Sequence, residues 1–548
     1  MIEAQPGVKH WHGAANEQFA YIAVNGNPGN DSISWDREVT DEEYNSVSAG
    51  NGIAVAETSE GAVQGYISDG TYTYHGIPYG EASERFVPAH KTESWNGVKT
   101  AYSYGPIAPQ TGADNLPAMD ENCQNLNIWT QGINDKEKRP VMVWLHGGGF
   151  STGSSIESHA YDGENLSKKG DVVVVSINHR LNSLGHLDLS AYDDKYKYSA
   201  NVGMTDIVAA LEWIQENIEQ FGGDPDNVTV FGESGGGAKV LALMTSPYAK
   251  GLFHKGIVES GATENMGAKF TSLDVSRRLT EIILENLGIT PDRIEELQTI
   301  PYEELAAVSD EALVQAAEEM GIYEEFVNGY SLLWEPAVDG DFLPTSPVTE
   351  DSFAEAGYDI PLLIGSNLNE WTVVGETMAD PNAPLSEEEL NTRLEAKYGE
   401  NAESVKQAFA ETYPNEPDTE ALYVDSTLIR LPILKITAHK ADQNGAPVYS
   451  YVFSWGTSYH TAEIPFVFSN TDRVTVSGDE EEARRLSDIM SQAWINFARI
   501  GDPNGEGVPE WEPYTRESGA TMIFDNESYL THNHDKELLS VLAPDYEY

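Results

Sequence analysis

A serine flanked by glycines is the first residue of this chain that could do covalent chemistry. Residues 232–236 read GESGG, a GxSxG element with Ser234 at its centre. The apolar run Val228–Phe231 precedes it, and a helix-compatible stretch at residues 238–244 follows. A serine on such a sharp strand-to-helix turn holds its hydroxyl above a sheet, and glycines are needed beside it because side chains would clash there. The pattern predicts Ser234 as a nucleophile.

A run of glycines follows another strand-like segment upstream of this serine. Val141–Leu145 is apolar, and residues 146–150 read HGGGF. Acyl transfer builds negative charge on the carbonyl oxygen of the substrate, so backbone N–H groups must already point at that oxygen. By itself the run could equally be a tight glycine turn. Upstream of a GxSxG element, however, it predicts the oxyanion hole of an esterase or lipase.

A nucleophilic serine needs a base, and the base needs an acid, in the chain order Ser, Asp/Glu, His. Both should follow the carboxyl ends of strands. Glu370 comes soon after the predicted strand Leu362–Ile364, and His460 comes soon after Val448–Phe453. These positions favour Glu370 as the acid and His460 as the base. Other histidines downstream of the serine fit the role of base less well. Those are His254, His439, His532 and His534.

The elements that must position these residues alternate between apolar runs and helical patterns, which predicts an α/β fold with a mainly parallel central sheet flanked by helices. Val172–Ile177 is typical of a strand buried on both faces. Residues 204–221 carry apolar residues at helical spacing, followed by a predicted break at residues 222–225. Because no repeat or linker interrupts the pattern, we interpret residues 50–548 as one catalytic domain.

The composition narrows the range of partners. The formal net charge is −57, from 89 acidic and 32 basic residues, which argues against binding to nucleic acid or anionic membranes. No segment approaches the roughly 20 apolar residues needed to cross a bilayer, and no signal-peptide pattern is visible. The single cysteine, Cys123, fits a reducing compartment. We therefore expect a cytoplasmic protein, with secretion and oligomeric state left open.

Several separated segments resemble the type B carboxylesterase/lipase family, which includes bacterial para-nitrobenzyl esterases and cholinesterases. They are the nucleophile segment, residues 121–127, residues 336–340, the acid loop at 365–370 and the histidine loop at 460–468. The resemblance runs from about Val55 to the C-terminus. It implies the α/β-hydrolase fold and hydrolysis of small carboxylic esters through an acyl-enzyme, without a cofactor or metal.

The resemblance also assigns roles to individual residues. It implies a catalytic triad of Ser234, Glu370 and His460. It implies an oxyanion hole formed by the N–H groups of Gly148, Gly149 and Gly235. Family members usually carry alanine at the position of Gly235, and the usual disulfide partner of Cys123 is absent from this chain.

The substrate pocket and two alternative functions stay open at this point. Candidates for the acyl side of the pocket are Phe150, Tyr330, Leu332 and Trp334, each of which could equally be ordinary core. A lipase or amidase on the same fold is the main alternative, because chain-length preference depends on the shape of the pocket. A non-catalytic binding member of the family is a weaker one, since the triad and the glycine run are intact.

The first 49 residues differ from the rest and resemble the second half of a cupin domain. His10 and His12 lie in this segment, but the first of the two metal-binding motifs of cupins is absent. Two histidines make a weak metal site, because tight binding needs three or four ligands. We interpret residues 1–49 as a remnant extension without metal, and a metal-dependent enzyme as a remote alternative.

Overall fold

The computed structural model describes residues 54–111, 117–264, 270–324, 328–371 and 385–547. The predicted extension at residues 1–49, with His10 and His12, lies outside these ranges. Most of the described strands join one sheet of 11 strands, with the order β18-β17-β16-β15-β10-β9-β7-β8-β6-β4-β3.

The strands have the following bounds. They are β1 (Val55–Glu57), β2 (Ala62–Gln64), β3 (Tyr66–Ser68), β4 (Thr71–Pro78), β5 (Val98–Thr100), β6 (Asn125–Thr130), β7 (Arg139–Leu145), β8 (Val173–Ile177), β9 (Gly223–Glu233), β10 (Lys255–Glu259), β11 (Thr271–Ser272), β12 (Tyr323–Glu324), β13 (Gly329–Tyr330), β14 (Ala337–Val338), β15 (Leu362–Asn367), β16 (Val448–Phe453), β17 (Ala520–Phe524) and β18 (Tyr529–His532).

The α-helices of the described residues lie between these strands and after them. They are α1 (Glu164–Gly170), α2 (Asn182–His186), α3 (Val202–Asn217), α4 (Gly235–Leu243), α5 (Leu273–Leu287), α6 (Tyr302–Met320), α7 (Glu387–Tyr398), α8 (Ala402–Thr412), α9 (Arg430–Asp442), α10 (Ile464–Val467), α11 (Glu480–Ile500) and α12 (Lys536–Leu542). Short 3₁₀ turns complete several of the connections.

The centre of the large sheet is parallel, and antiparallel pairs lie at its two edges. The strands from β8 through β7, β9, β10, β15 and β16 to β17 pair in parallel. The pairs β3–β4, β4–β6, β6–β8 and β17–β18 are antiparallel. This arrangement confirms the mainly parallel α/β fold that the sequence predicts.

Both faces of the sheet are covered by packed apolar side chains. Along β7, Val141, Val143 and Leu145 join the core on one face, whereas Met142 and Trp144 join the core on the other. Successive side chains of a strand point to opposite faces, so a strand covered on both sides is apolar at every position. This explains the unbroken apolar run that predicts the strand.

One predicted boundary is wrong. The sequence predicts a break at residues 222–225, but β9 already begins at Gly223. Gly223 pairs with Arg139, the register then shifts, and regular pairing resumes where Val228 lies opposite Val141. Because of this irregularity, β9 can include at its start a segment whose Gly and Pro residues are typical of a turn.

Acidic residues begin two of the helices, at residues 386–389 and 479–482. Ser386 caps α7 and forms a reciprocal pair of hydrogen bonds with Glu389, a capping box. Asp479 caps α11 by accepting hydrogen bonds from the N–H groups of Glu481 and Glu482. Carboxylates in a first helical turn also complement the helix dipole. Within the described part of the chain, no helix is both long and apolar enough to cross a membrane.

Candidate active site

The predicted catalytic residues follow the carboxyl ends of neighbouring strands. The strands β16, β15, β10, β9 and β7 are consecutive in the sheet. His460 follows β16, Glu370 follows β15 and Ser234 follows β9, while the glycine run 146–149 follows β7. Because these strands are parallel, the residues meet at one edge of the sheet, where open α/β sheets bind their ligands.

Ser234 lies on a strained turn between β9 and α4. Its backbone has φ 57° and ψ −124°, in the left-handed half of φ that non-glycine residues rarely adopt and that concentrates at functional sites. Its N–H donates to the carbonyl of Glu259 at 2.8 Å. A Cβ on Gly236 would collide with the carbonyl group of Leu145. The close packing of α4 on β7 therefore explains the glycine required after the serine.

Glu370 and His460 are joined by a short hydrogen bond. His460 Nδ1 lies 2.6 Å from Glu370 Oε2, and the His460 N–H donates to the Glu370 carbonyl at 3.1 Å. The other carboxylate oxygen, Oε1, accepts from Ser260 Oγ and from the Asn367 N–H, each at 2.7 Å. Both Glu370 and His460 are buried. The carboxylate is thus held from three sides and orients the imidazole ring.

Burial sets the protonation of this pair. Burial lowers the pKa of His460 to about 4, although the carboxyl groups of Glu463 and Asp425 act in the opposite direction. The imidazole is therefore neutral at pH 7, as a general base requires. Burial raises the pKa of Glu370 above its ordinary value, and the hydrogen bonds from Ser260 and Asn367 oppose that rise by favouring the carboxylate.

The second ring nitrogen of His460 faces a carboxyl group. His460 Nε2 lies 3.1 Å from Glu233 Oε1, without the geometry of a hydrogen bond. Among the described residues, no hydrogen bond joins Ser234 to His460. The structure thus brings the predicted acid and base into contact and places the predicted nucleophile beside Glu233, with its hydroxyl not bonded to the base.

Further buried carboxyl groups surround the base. Glu463 Oε2 accepts a hydrogen bond from Asn367 Nδ2 at 2.6 Å, and Glu259 Oε1 accepts one from Trp494 Nε1 at 2.7 Å. Burial, together with repulsion from neighbouring carboxyl groups, raises the pKa of both Glu233 and Glu463. Sequence reasoning gives these residues no role, although Glu233 and Glu463 lie inside the segments that carry the resemblance.

No metal centre emerges from these acidic side chains. In the ranges that the structure covers, no group of three or more His, Cys, Asp or Glu side chains is arranged to hold a metal ion. Cys123 is buried and free, without a disulfide partner.

The glycine run forms a turn whose amides are available. Gly148 and Gly149 have φ values of 80° and 60°, and a Cβ on Gly148 would lie 2.7 Å from the Thr152 carbonyl carbon. Their N–H groups have no acceptor within the described part of the chain. Gly235 begins α4, so the helix itself leaves its N–H unpaired. These are the three donors that the resemblance implies.

The predicted pocket residues separate into two groups. Phe150 is fully buried and its ring contacts that of His186, with centroids 5.4 Å apart. Leu332 and Trp334 line a cavity of about 10 Å³ beside the same histidine, room for about one water molecule. Tyr330 instead lies half-exposed in the short strand β13. The structure therefore groups Phe150, Leu332 and Trp334 around His186 and leaves Tyr330 apart.

Taken together, a sheet of this topology, a serine on a strained strand-to-helix turn and a buried carboxylate–imidazole pair define a serine hydrolase of the α/β-hydrolase fold. A comparison with known families agrees with this class. The sequence profile described as "Carboxylesterase family" matches residues 53–540. The chain belongs to this family, and it is a carboxylic-ester hydrolase.

The similarity to relatives covers most of the chain. It is 35% identical to the para-nitrobenzyl esterase of Bacillus subtilis, over 89% of this chain and 98% of that protein. It is 32% identical to the phenmedipham hydrolase of Pseudarthrobacter oxydans, over 86% of this chain and 95% of that protein. Among solved structures, an esterase from Clostridium hathewayi that hydrolyses aliphatic aromatic polyesters is 38% identical, with a TM-score of 0.81 over 90% of this chain and 98% of that one.

Proposed function

We propose that this protein hydrolyses small carboxylic esters with Ser234 as nucleophile, His460 as general base and Glu370 as the acid that orients the base. The observation that carries the proposal is the 2.6 Å hydrogen bond between His460 Nδ1 and Glu370 Oε2. It fixes the tautomer whose free nitrogen, Nε2, can accept a proton. Catalytic hydrogen bonds are often loose in an enzyme without substrate and tighten when substrate binds.

The first half of the reaction forms an acyl-enzyme. His460 Nε2 removes the proton from Ser234 Oγ as that oxygen attacks the ester carbonyl carbon. The negative charge that develops on the carbonyl oxygen is stabilised by the N–H groups of Gly148, Gly149 and Gly235. The imidazolium, paired with the carboxylate of Glu370, then protonates the leaving alkoxide, and the C–O bond of the ester breaks.

The second half repeats these steps with water. Neutral His460 takes a proton from a water molecule, which attacks the acyl carbon. The tetrahedral intermediate again places its oxyanion at the glycine amides. Collapse releases the carboxylic acid and returns the proton to Ser234. All groups needed for this cycle are side chains and amides of the chain itself, which supports a reaction without a cofactor.

The relatives guide the choice of substrate class. Two relatives carry names that refer to esters with aromatic groups, a para-nitrobenzyl esterase and an esterase that hydrolyses aliphatic aromatic polyesters. We therefore favour esters with an aromatic acyl or alcohol portion. We place Phe150, Leu332 and Trp334 on the acyl side of the pocket, and we assign no role to Tyr330. A cytoplasmic location belongs to the same proposal, because the single buried cysteine suits a reducing compartment.

A series of p-nitrophenyl esters from acetate to palmitate, measured with and without a chelator, tests the reaction class. We expect fast hydrolysis of short acyl chains, slow hydrolysis of long ones and no effect of the chelator. The variant His460→Ala should lose about 10⁴-fold or more in kcat. His532→Ala is a matched control, because that histidine is exposed and contacts Glu512. Equal activity of the two variants would refute the assignment of the base.

A further inference from the structure

A buried lysine lies directly behind the glycine run. Lys239 is in α4, one turn after Gly235, and its side chain is inaccessible to solvent. Its Nζ donates hydrogen bonds to the carbonyls of His146 at 2.9 Å and of Gly149 at 2.8 Å. Burying an ammonium group is costly unless it is paired and hydrogen-bonded, so a cation at this place needs a reason.

The two carbonyls that Lys239 binds are those at the ends of the glycine turn. The N–H groups of Gly148 and Gly149 lie between them along the chain. When the carbonyls of His146 and Gly149 are both fixed, the peptide planes between them have little freedom to rotate. The carbonyls of the two peptides between them are held as well, that of Gly147 at 2.9 Å from His146 Nδ1 and that of Gly148 by the N–H groups of Ser151 at 3.2 Å and Thr152 at 3.1 Å. Lys239 therefore anchors the two ends of the turn, and these bonds set the peptide planes within it.

Gly235 approaches the same turn from the same face of α4. A Cβ on Gly235 would lie 2.5 Å from Gly149 Cα and 2.6 Å from the Gly149 carbonyl carbon. Real Cβ atoms do not approach backbone so closely, so any larger residue at position 235 would push Gly149 outward. The lysine draws the turn towards α4, and the missing side chain of Gly235 leaves the room that this approach needs.

The surroundings of Lys239 act on its charge in opposite directions. Burial lowers the pKa of Lys239 to about 7, and the carboxyl groups of Glu157 and Glu233 raise it in opposition. The ring of Phe150 lies on another side, with its centroid 5.4 Å from Nζ, within reach of a cation–π contact. The lysine is thus enclosed by the glycine turn, an aromatic ring and the acidic groups near the base.

We infer that Lys239 is a positioning residue that holds the amides of Gly148 and Gly149 towards the reacting carbonyl oxygen, and that Gly235 is required so that it can do so. This inference rests on the proposed function, since it concerns the oxyanion hole of that reaction. Lys239 itself touches no reacting atom. Its effect should therefore appear in the stabilisation of the oxyanion and be small in substrate binding.

The first test is Lys239→Met, which keeps the length of the side chain and removes its donors. We expect kcat for p-nitrophenyl acetate to fall about 10- to 100-fold with KM nearly unchanged, because a small displacement of preorganised donors costs that much. Affinity for an aryl trifluoromethyl ketone, which forms a hemiketal oxyanion on the serine, should fall by a similar factor. Lys239→Arg, which keeps the charge and donors, should restore part of the loss.

The matched control is Lys440→Met. Lys440 is also buried, and its Nζ donates to the carbonyl of Tyr358 at 3.2 Å and to Gln443 Oε1 at 3.1 Å, in α9. This variant should lower the thermal midpoint of unfolding while kcat and ketone affinity stay within about twofold of wild type. If Lys239→Met does not fold, Lys239→Gln is measured against the same criteria.

A double-mutant cycle tests the link to Gly235. Gly235→Ala alone should lose about 100-fold in kcat, because the added methyl group displaces Gly149 and with it the oxyanion donors. Combined with Lys239→Met, the loss should be far smaller than the product of the two single losses, since the released turn can move away from the new methyl group.

Two outcomes separate failure of this inference from failure of the reaction class. Wild-type enzyme that the ketone does not inhibit at all would contradict the proposed serine reaction. Wild-type inhibition together with an unaffected Lys239→Met variant, or with strictly multiplicative losses in the cycle, would overturn the role of Lys239 alone.

Discussion

Replacing Ser260 by alanine removes one of the hydrogen bonds that hold the catalytic carboxylate. Ser260 Oγ donates to Glu370 Oε1 at 2.7 Å, and both residues are fully buried. Without this donor, Oε1 keeps only the N–H of Asn367. The change also raises the pKa of Glu370 further, because burial already favours its neutral form and the serine is the main opposing influence.

A hydrogen bond to a charged group contributes about 1.5–3 kcal/mol, and no solvent can replace this one. The ionised carboxylate matters most when His460 carries its second proton in the transition state. We therefore expect kcat to fall about 10- to 100-fold, at roughly 1.4 kcal/mol for each factor of ten, while KM changes little. The assay is the steady-state hydrolysis of p-nitrophenyl acetate, with thermal unfolding measured in parallel.

Ser366→Ala is a matched control for this substitution. Ser366 is a buried serine in β15, one residue before Asn367, and its hydroxyl has no hydrogen-bond partner in the described part of the chain. It should keep kcat within about twofold of wild type. If Ser260→Ala were as active as wild type, or if Ser366→Ala lost as much activity, the argument for carboxylate positioning would be refuted.

Two further predictions concern pH and salt. The base acts only when it is neutral, and burial lowers the pKa of His460 to about 4, so kcat/KM should rise with pH and reach half its plateau near pH 4. The measurement is of initial rates after pH jumps. A midpoint at the ordinary histidine pKa of about 6.5, or above it, would contradict this expectation. With a net charge of −57, the folded chain repels itself, so the thermal midpoint should rise between about 0.05 and 1 M NaCl as screening shortens from about 14 Å to about 3 Å. A midpoint that fell with salt would show that ion pairs outweigh this repulsion.

The parts of the fold that could be predicted from sequence are those with an unambiguous local pattern. Val448–Phe453 is rich in β-branched and aromatic residues, and it is the strand β16 with those bounds. The start of β9 could not be predicted, because Gly223 is extended only through its pairing with Arg139 across a register shift. That pairing is a contact between distant residues, and the local Gly and Pro signals point the other way.

The candidate site shows the same division. The contact between Glu370 and His460 could be predicted from their places after two strands, because parallel strands end at one edge. The role of Ser260 could not be predicted, because its hydrogen-bond partner Glu370 is distant in the sequence and no local pattern indicates the pairing. The sequence gives a weak indication that Lys239 is unusual, because it is the one charged residue of the apolar helix Gly235–Leu243. Its role depends on the carbonyls to which its Nζ donates, and only the tertiary structure shows that these belong to His146 and Gly149.

The central claim is that Ser234 is the nucleophile, and covalent labelling tests it most directly. Folded protein is treated with a fluorophosphonate, digested and analysed by mass spectrometry, with Ser234→Ala treated in the same way. We predict one stoichiometric adduct on Ser234, loss of esterase activity in proportion to labelling, and no adduct in the variant. Full activity without an adduct on Ser234, or an adduct on another serine that tracks the loss of activity, would contradict the account.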